Sequence, residues 1–326
     1  MDYTRLGTSV LMVSRIALGC MGFADRACPA PAWTLDEDAA GPVFRQAAEL
    51  GITFWDTANV YSSGTSEEIV GRAIRTYARR DEVVVATKVG MRVHGGATGA
   101  GLSRAAILEQ IDASMTRLGT DYVDLYQIHR FDPATPVEET MQALHEVVAA
   151  GKARYLGASS MWAWQFSKMQ YTAQLHGWTG FVSMQDQYNL MEREEEREMF
   201  GLLADQNVSS IPWGPLGKGR LARPYRQQTA RSEADPVGQR FVGHGDRPII
   251  DAVQGVAQAR GVPMAQVALA WVLSSPVVAA PIVGATSPGH LADAAAALDI
   301  KLTATEIDQL TDPYTARAPS EFSYVP

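Results

Sequence analysis

The sequence contains little cysteine. Cys20 and Cys28 are its only two cysteines in 326 residues, and they lie in one short segment. Two cysteines are too few for the disulfide framework of a small secreted protein, and no histidine or cysteine stands nearby at zinc-ligand spacing. We therefore expect no metal site and favour a reduced, intracellular protein.

Long hydrophobic runs and an excess of basic charge are also missing. The longest apolar runs, such as residues 277–285, are far shorter than the roughly 20 residues of a membrane-spanning helix. The N-terminal residues lack the basic and apolar regions of a secretion signal. Lys and Arg total 28 against 36 Asp and Glu, a net charge of −8 that disfavours a nucleic-acid binder. We expect a soluble, cytoplasmic protein that acts on a small molecule and binds neither nucleic acid nor a membrane. The sequence leaves the oligomeric state open, and a homo-oligomer is one possibility.

What the sequence does contain is a regular alternation of short apolar runs and longer amphipathic segments. The runs are typical of strands buried on both faces, and they span residues 13–20, 52–58, 83–89, 123–129, 154–160, 181–187, 208–214 and 277–284. Helices are predicted over residues 36–50, 66–78, 103–118, 136–150, 162–176, 194–206, 248–260, 263–275, 288–298 and 301–310. Eight strand–helix units predict one α/β domain over residues 1–326, a (β/α)₈ TIM barrel with long loops at its C-terminal mouth.

Polar side chains stand at the ends of neighbouring predicted strands, where such a barrel carries its active site. Asp56 ends the second strand and is followed by Tyr61, Lys88 lies near the end of the third, and His129 ends the fourth. A buried lysine is costly unless it is paired, and Asp56 is the natural partner. Taken singly, these residues are also compatible with an ion pair, a core histidine and an ordinary loop tyrosine. Together they favour a catalytic site.

These four side chains suit a proton donor built on Tyr61. A tyrosine has a pKa of about 10, so it keeps its proton at neutral pH. The Lys88 ammonium would stabilise the developing phenolate, Asp56 would hold Lys88, and His129 would bond to the substrate oxygen or the phenol. Such a group can protonate the alkoxide that forms from a carbonyl. The hydride must come from a cofactor, because no side chain supplies one.

At these residues the sequence resembles the aldo-keto reductase family. The segment GITFWDTANVYSSGTSEEIVG, residues 51–71, is similar to the family signature around its aspartate and tyrosine. Further family blocks match in order, namely VVVATKVG, IHRF, GASSM, SMQDQYNL, IPWGPLGKGRL and APIVGATSPGHLADA. The resemblance spans nearly the whole chain. It implies a TIM barrel that reduces aldehydes or ketones with NADPH, with Tyr61 as the acid and Asp56, Lys88 and His129 completing the tetrad.

The resemblance also implies which residues hold the cofactor. Ser159 and Gln185 would bind the nicotinamide carboxamide, Ser160 stands where many relatives have Asn, and the Trp213 ring would stack on the nicotinamide. The residues implied at the pyrophosphate are Gly214, Leu216, Gly217 and Lys218. Those implied at the adenosine end are Gly284, Thr286, Ser287, His290 and Asp293.

Two departures from the family pattern bear on the site. Tyr61 is followed by Ser62-Ser63-Gly64, where many relatives have Tyr-Gly. Many relatives also carry a basic residue after the Gly-Ala-Thr block that binds the 2′-phosphate, whereas this sequence reads Ser287-Pro288-Gly289. NADPH is therefore expected with NADH as an alternative, and the candidates for the missing positive charge are Arg220, Arg226, Arg240 and Arg247.

The substrate contacts and the substrate class are less constrained. Candidate contacts in the mouth loops are Phe23, Trp33, Met91, Arg130 and Trp162, of which Arg130 would suit an anionic group. The charged run of residues 192–198 is predicted to be a solvated helix face. Two alternatives to a general carbonyl reductase stay open. One is a reductase of a keto-sugar or sugar-nucleotide intermediate, and the other is a cofactor-binding, redox-sensing regulatory subunit.

Overall fold

The computed structural model describes residues 1–25, 33–227, 229 and 245–318. Its strands are β1 (Tyr3–Arg5), β2 (Met12–Ser14), β3 (Ala17–Gly19), β4 (Phe54–Asp56), β5 (Val84–Val89), β6 (Val123–Ile128), β7 (Ala153–Ser159), β8 (Phe181–Gln185), β9 (Ser209–Ser210) and β10 (Ile282–Gly284). Its helices are α1 (Glu37–Glu49), α2 (Thr65–Tyr77), α3 (Arg104–Leu118), α4 (Val137–Ala149), α5 (Ala163–His176), α6 (Met199–Asp205), α7 (Asp246–Arg260), α8 (Met264–Leu273), α9 (Pro288–Ala296) and α10 (Ala304–Thr311).

The strands from β3 to β10 form one parallel sheet that closes on itself. Neighbours in the sheet follow the order β10-β3-β4-β5-β6-β7-β8-β9. Bridges Ser210–Val278 and Trp213–Ile282 join the segment around β9 to the chain leading into β10. The Ile282 amide also donates to the Pro212 carbonyl at 2.8 Å. The predicted (β/α)₈ TIM barrel is therefore confirmed.

The predicted first strand, residues 13–20, is wrong as one element. β2 pairs antiparallel with β1 in an N-terminal hairpin, and only β3 enters the barrel. The break lies at Ser14, whose hydroxyl donates to the Ile16 carbonyl at 2.7 Å and accepts the Thr53 amide at 3.1 Å. The Gly7 amide in turn donates to the Ser209 hydroxyl at 2.8 Å, so the hairpin lies at the N-terminal end of the barrel.

The core has two apolar layers because successive residues of a strand point to opposite faces of the sheet. Phe54, Ala86 and Leu125 belong to the cluster that fills the barrel interior. Trp55 belongs instead to the larger cluster between the sheet and the helices. The inner layer leaves the positions nearest the C-terminal strand ends to polar side chains.

Local capping explains where several helices begin and end. The Asp36 carboxylate accepts the Ala39 amide at 2.9 Å at the start of α1, and Ser103 accepts the Ala106 amide at the start of α3. Gly119 ends α3 with φ of 64°, a left-handed conformation that suits glycine. Within the described ranges, no helix has both the length and the apolar character that a bilayer crossing requires.

The predicted helix over residues 194–206 is interrupted. A 3₁₀ turn covers Glu194–Glu196, and α6 begins only at Met199. The prediction of a solvated helix face is also wrong in part, since Glu192 and Glu195 are only 7% and 9% exposed. The charged run therefore places carboxylates inside the protein, next to the segment that holds Tyr314 and Arg317.

Candidate active site

Four polar side chains form one buried layer near the C-terminal end of the barrel. They are Asp56, Lys88, Gln127 and Gln185, and each is at most 2% exposed. Each of the first three stands two residues beyond an apolar side chain of the inner core, so strand alternation points it into the barrel. Parallel pairing sets Lys88 opposite Gln127, so residues from separate strands meet in this layer.

The Lys88 ammonium has an acceptor for each of its three protons. Its Nζ lies 2.5 Å from Asp56 Oδ2, 2.9 Å from the Thr57 carbonyl oxygen and 3.3 Å from the Tyr61 hydroxyl. Burial alone would lower the pKa of Lys88, but the Asp56 carboxylate outweighs it and the pKa is raised. The ammonium is therefore charged and directed at the phenol.

The second oxygen of Asp56 is also satisfied. Oδ1 accepts hydrogen bonds from the side-chain amides of Gln127 and Gln185, each at 2.9 Å. Gly157 makes room for this arrangement, because a Cβ there would lie 2.7 Å from Ser183 Oγ and 2.9 Å from Gln127 Cγ. The carboxylate is thus fixed by two neutral donors and one ammonium, as a buried charge requires.

A left-handed turn positions Tyr61. The three residues after it, Ser62, Ser63 and Gly64, have φ of 48°, 55° and 96°. The 3₁₀ turn Tyr61–Gly64 then leads directly into α2. Burial raises the pKa of Tyr61, and the nearby Lys88 opposes this rise without cancelling it. Tyr61 therefore keeps its proton at neutral pH.

His129 faces Tyr61 across the mouth. The two rings meet edge to face, with centroids 5.8 Å apart and an interplanar angle of 84°. Burial and the positive charges of Lys88 and Arg130 hold the pKa of His129 well below 6.5, so the imidazole is neutral. Its Nδ1 is buried and bonds to none of the described residues. Arg130 donates to the His129 carbonyl at 2.7 Å.

Residues at the ends of β7, β8 and β9 meet beside this cluster. The Ser159 hydroxyl donates to the Gln185 carbonyl at 2.8 Å, and Trp213 Nε1 donates to Ser160 Oγ at 3.2 Å. Ser160 has φ of 43°, a region that Asn tolerates better than most residues, which fits the Asn of many relatives. The predicted nicotinamide residues are thus neighbours of one another and, through Gln185, of Asp56.

Open space lies beside the ends of the last two barrel strands. A Cβ added to Gly214 or Gly284 would meet no atom within 4 Å. Gly217 and Lys218 follow with φ of 55° and 57°, and the Leu216 side chain packs against the core. This concave backbone with an adjacent lysine fits an anionic phosphate chain. Lys218 Nζ also lies 5.7 Å from the centre of the Trp213 ring.

The predicted adenosine-end residues lie at the start of α9. Ser287 is its N-cap residue, and the Thr286 amide lies 3.3 Å from His290 Nδ1. Asp293 accepts a hydrogen bond from Gln266 of α8 at 3.0 Å, so its carboxylate is held against that helix. Asp293 is therefore already engaged by a side chain of the protein.

Two of the arginine candidates for a 2′-phosphate contact are already paired with acids. Arg220 lies 2.6 Å from Asp246, and Arg247 lies 3.3 Å from Asp251. Arg240 lies outside the described residues. The charges of these two arginines are therefore offset by neighbouring acids.

The predicted substrate residues do not share one environment. Phe23 is fully buried and its ring packs 4.7 Å from that of Phe44, so its prediction as a pocket residue is corrected: it belongs to the core. Met91 is 40% exposed in the segment after β5. Trp33 and Trp162 are partly buried in the segments after β3 and β7.

Sequence reasoning missed two further features of this region. Gln127 stands two residues before His129, and this spacing alone indicates that both side chains lie on one face of β6. Asp186 follows Gln185 and points to the opposite side of the sheet, where its Oδ1 accepts the Ser210 hydroxyl at 2.7 Å. Its Oδ2 has no hydrogen-bond partner among the described residues.

Asp186 and Glu195 form a buried pair of acids behind the sheet. Burial raises the pKa of Asp186 to about 7. Burial together with the charges of Asp186 and Glu192 raises the pKa of Glu195. Neither carboxyl has a cationic partner in the part of the chain that the structure describes, so neutralisation by a proton replaces ion pairing here.

Comparison with known proteins agrees with this geometry. The model of the aldo/keto reductase family matches residues 15–314. The versiconal hemiacetal acetate reductase of Aspergillus parasiticus is 44% identical over 341 residues, which cover 98% of each chain. Aldo-keto reductase AMT2 of Alternaria alternata is 42% identical, covering 98% of this chain and 94% of the relative. The putative aryl-alcohol dehydrogenase AAD16 of Saccharomyces cerevisiae is 37% identical, covering 95% and 96%. The chain belongs to the aldo/keto reductase family of oxidoreductases.

Proposed function

We propose that the protein reduces an aldehyde or ketone to an alcohol, with NADPH as hydride donor and NADH as the alternative donor. The observation that carries this proposal is the contact between the Tyr61 hydroxyl and the Lys88 ammonium, 3.3 Å apart at the barrel mouth. The names of two relatives, a hemiacetal acetate reductase and an aryl-alcohol dehydrogenase, describe carbonyl–alcohol chemistry and support the same reaction type.

The cofactor assignment is supported by the shape and chemistry of the groove beside the cluster. Gly214 and Gly284 border open space that any larger side chain would narrow. The hydroxyl of Ser159 and the side-chain carbonyl of Gln185 would hold a carboxamide, and the Trp213 ring would pack on an aromatic face. When bound, the reduced nicotinamide supplies the hydride and its electron pair.

Tyr61 would supply the proton. As hydride adds to the carbonyl carbon, negative charge grows on the carbonyl oxygen, and that oxygen takes the proton from Tyr61 Oη. The Lys88 ammonium stabilises the phenolate left behind, and solvent returns a proton to it after the alcohol leaves. Asp56 keeps Lys88 charged and in position.

His129 would orient the substrate as a neutral donor. A neutral imidazole protonated at Nε2 can donate to the carbonyl oxygen from the side opposite Tyr61. Because burial, together with the charges of Lys88 and Arg130, holds the pKa of His129 down, it does not compete with Tyr61 as an acid at neutral pH. Two donors on one oxygen favour the charge that develops there in the transition state.

An activity assay tests the proposal directly. Purified protein is mixed with NADPH or NADH and a panel of aromatic aldehydes, aliphatic aldehydes, ketones and phosphorylated keto-sugars, and both cofactor oxidation and alcohol formation are measured. We expect stoichiometric alcohol formation with at least one unphosphorylated carbonyl. Binding of the dinucleotide without reduction of any carbonyl would contradict the proposal, and a strict need for phosphorylated sugars would favour the alternative substrate class.

A further inference from the structure

A cavity of about 460 Å³ lies beside the mouth, between the segment after β7 and the segment that leads into α6. None of the four proposed catalytic side chains lines it. Its apolar wall is formed by Met161, Trp162, Ala163 and Met199. Its size and mostly apolar lining are those of a small-molecule site.

Residues 316–318 form another side of the cavity. They are held in place by Arg317, whose backbone amide donates to Glu194 at 2.8 Å and whose guanidinium lies 3.1 Å from Asp246. Tyr314 adds a hydrogen bond to the same Glu194 at 2.6 Å. The wall is therefore anchored by specific contacts to both the segment before α6 and the start of α7.

Glu195 is the unusual polar group of this cavity. It is only 9% exposed, lines the cavity, and makes no hydrogen bond or ion pair with any part of the chain that the structure describes. A buried carboxyl without a partner is unfavourable, and a hydrogen bond from a bound molecule would remove that cost. Asp186, another buried acid, lies behind it and helps to raise the pKa of Glu195.

The charges around the cavity disfavour an anionic ligand. Arg197 lies 2.6 Å from Glu194, and Arg317 lies 3.1 Å from Asp246, so both cations of the lining are already paired with acids. The exposed Glu198 adds negative charge at the edge of the cavity, and the protonated Glu195 carboxyl still offers its carbonyl oxygen as a hydrogen-bond acceptor. An uncharged molecule that donates a hydrogen bond therefore suits the cavity better than one with a carboxylate or phosphate.

We propose that this cavity binds an uncharged aromatic molecule bearing a hydroxyl group, which donates a hydrogen bond to the Glu195 carboxyl while its ring packs against Trp162 and Met199. The proposal goes beyond the carbonyl reduction proposed above, because the cavity is lined by none of the four proposed catalytic side chains, although it shares Trp162 with the predicted substrate contacts. Binding can be measured without cofactor and without turnover, so its failure and the failure of the reductase assignment are distinguishable.

Titration calorimetry with 2-naphthol on the full chain tests the proposal, with 2-naphthoate as the anionic counterpart. We expect 2-naphthol to bind and 2-naphthoate to bind at least about tenfold more weakly. Glu195→Leu removes the acceptor at similar volume and should weaken 2-naphthol binding about tenfold or more. The matched control Glu198→Leu, at an exposed acid of the same cavity, should change it less than about twofold.

A second variant, Trp162→Leu, tests the apolar wall independently of the acid cluster. It should weaken 2-naphthol binding by about fivefold or more, while Tyr61→Phe, in the proposed catalytic cluster, leaves it unchanged. Circular dichroism and thermal melting confirm that each variant is folded. Absence of 2-naphthol binding, tighter binding of 2-naphthoate, or full binding by folded Glu195→Leu would overturn the proposal.

Discussion

Two groups of buried charges lie on opposite faces of the same sheet, and they are stabilised in different ways. Inside the barrel, Asp56 and Lys88 are 2.5 Å apart, and the remaining oxygen of Asp56 has two amide donors. Outside it, Asp186 and Glu195 are both acids, and among the described residues the one side chain bonded to Asp186 is the Ser210 hydroxyl. The first group keeps its charges because they are paired, whereas the second loses them to protons.

The difference between the two groups explains why a proton donor belongs beside the inner one. Tyr61 touches the group that stays charged, so the ammonium is present throughout the neutral pH range to stabilise a phenolate. A carboxyl such as Asp186, with a pKa of about 7, changes charge within that range instead. The inner group thus suits catalysis at constant charge, and the outer group responds to pH.

The largest expected effect comes from removing the cation of the inner group. Lys88→Met leaves the Asp56 carboxylate buried and unpaired, which should cost about 3–5 kcal/mol of unfolding free energy. Urea unfolding followed by circular dichroism measures it. The double variant Asp56→Asn/Lys88→Met should recover most of the stability without activity, and a single variant as stable as the parent would show that the pair is not a structural unit.

Removing a charge from the outer group should raise the stability of the protein instead of lowering it. The folded pKa of Asp186, about 7, exceeds its ordinary value of 3.8, so the folded state binds the extra proton between these values and stability falls as pH rises through this window. Asp186→Asn should therefore gain about 1 kcal/mol or more over the parent above pH ~8 and less near pH ~5. Melting curves at both pH values, with the exposed Asp205→Asn as control, measure the difference. Equal or lower stability of Asp186→Asn at the higher pH would refute the account of an unpaired acid.

Features of the fold and site that depend on local patterns could be predicted from the sequence, whereas features that depend on long-range contacts could not. Strand alternation and strand-end convergence are local patterns, so the positions of Asp56, Lys88 and His129 could be predicted. The starts of the helices predicted from residues 36 and 103 are also set locally, by the Asp36 and Ser103 caps. The break at Ser14 could not be, because it depends on a hydrogen bond to Thr53, far along the chain.

The burial of the outer group could not be predicted from the sequence. A run of charged residues normally lies in solvent, and nothing in the spacing of Glu192 and Glu195 indicates burial. Their depth results from the C-terminal residues near Arg317 and Tyr314 that pack onto Glu194. Such burial depends on tertiary contacts between segments more than a hundred residues apart, which a single sequence does not reveal.

The smallest expected effect concerns the rate of carbonyl reduction, which should not depend on pH near neutrality. His129 has a pKa held well below 6.5 and Tyr61 has a pKa raised above 10, so neither changes charge between these values. The single-turnover rate of carbonyl reduction should be flat across this range and should fall only above pH ~10, as Tyr61 loses its proton. A break near pH ~6.5 in the parent that is absent in His129→Asn would contradict the neutral imidazole.

The role of Tyr61 is tested most directly by single-turnover reduction of an aldehyde by Tyr61→Phe, with NADPH binding measured in parallel. Tyr126→Phe, which alters a buried tyrosine of β6 outside the cluster, is the matched control. We predict a rate about 10²–10⁴-fold lower for Tyr61→Phe, unchanged dinucleotide affinity, and a nearly unchanged rate for Tyr126→Phe. A Tyr61→Phe variant that keeps most of its single-turnover rate would show that the proton comes from another group.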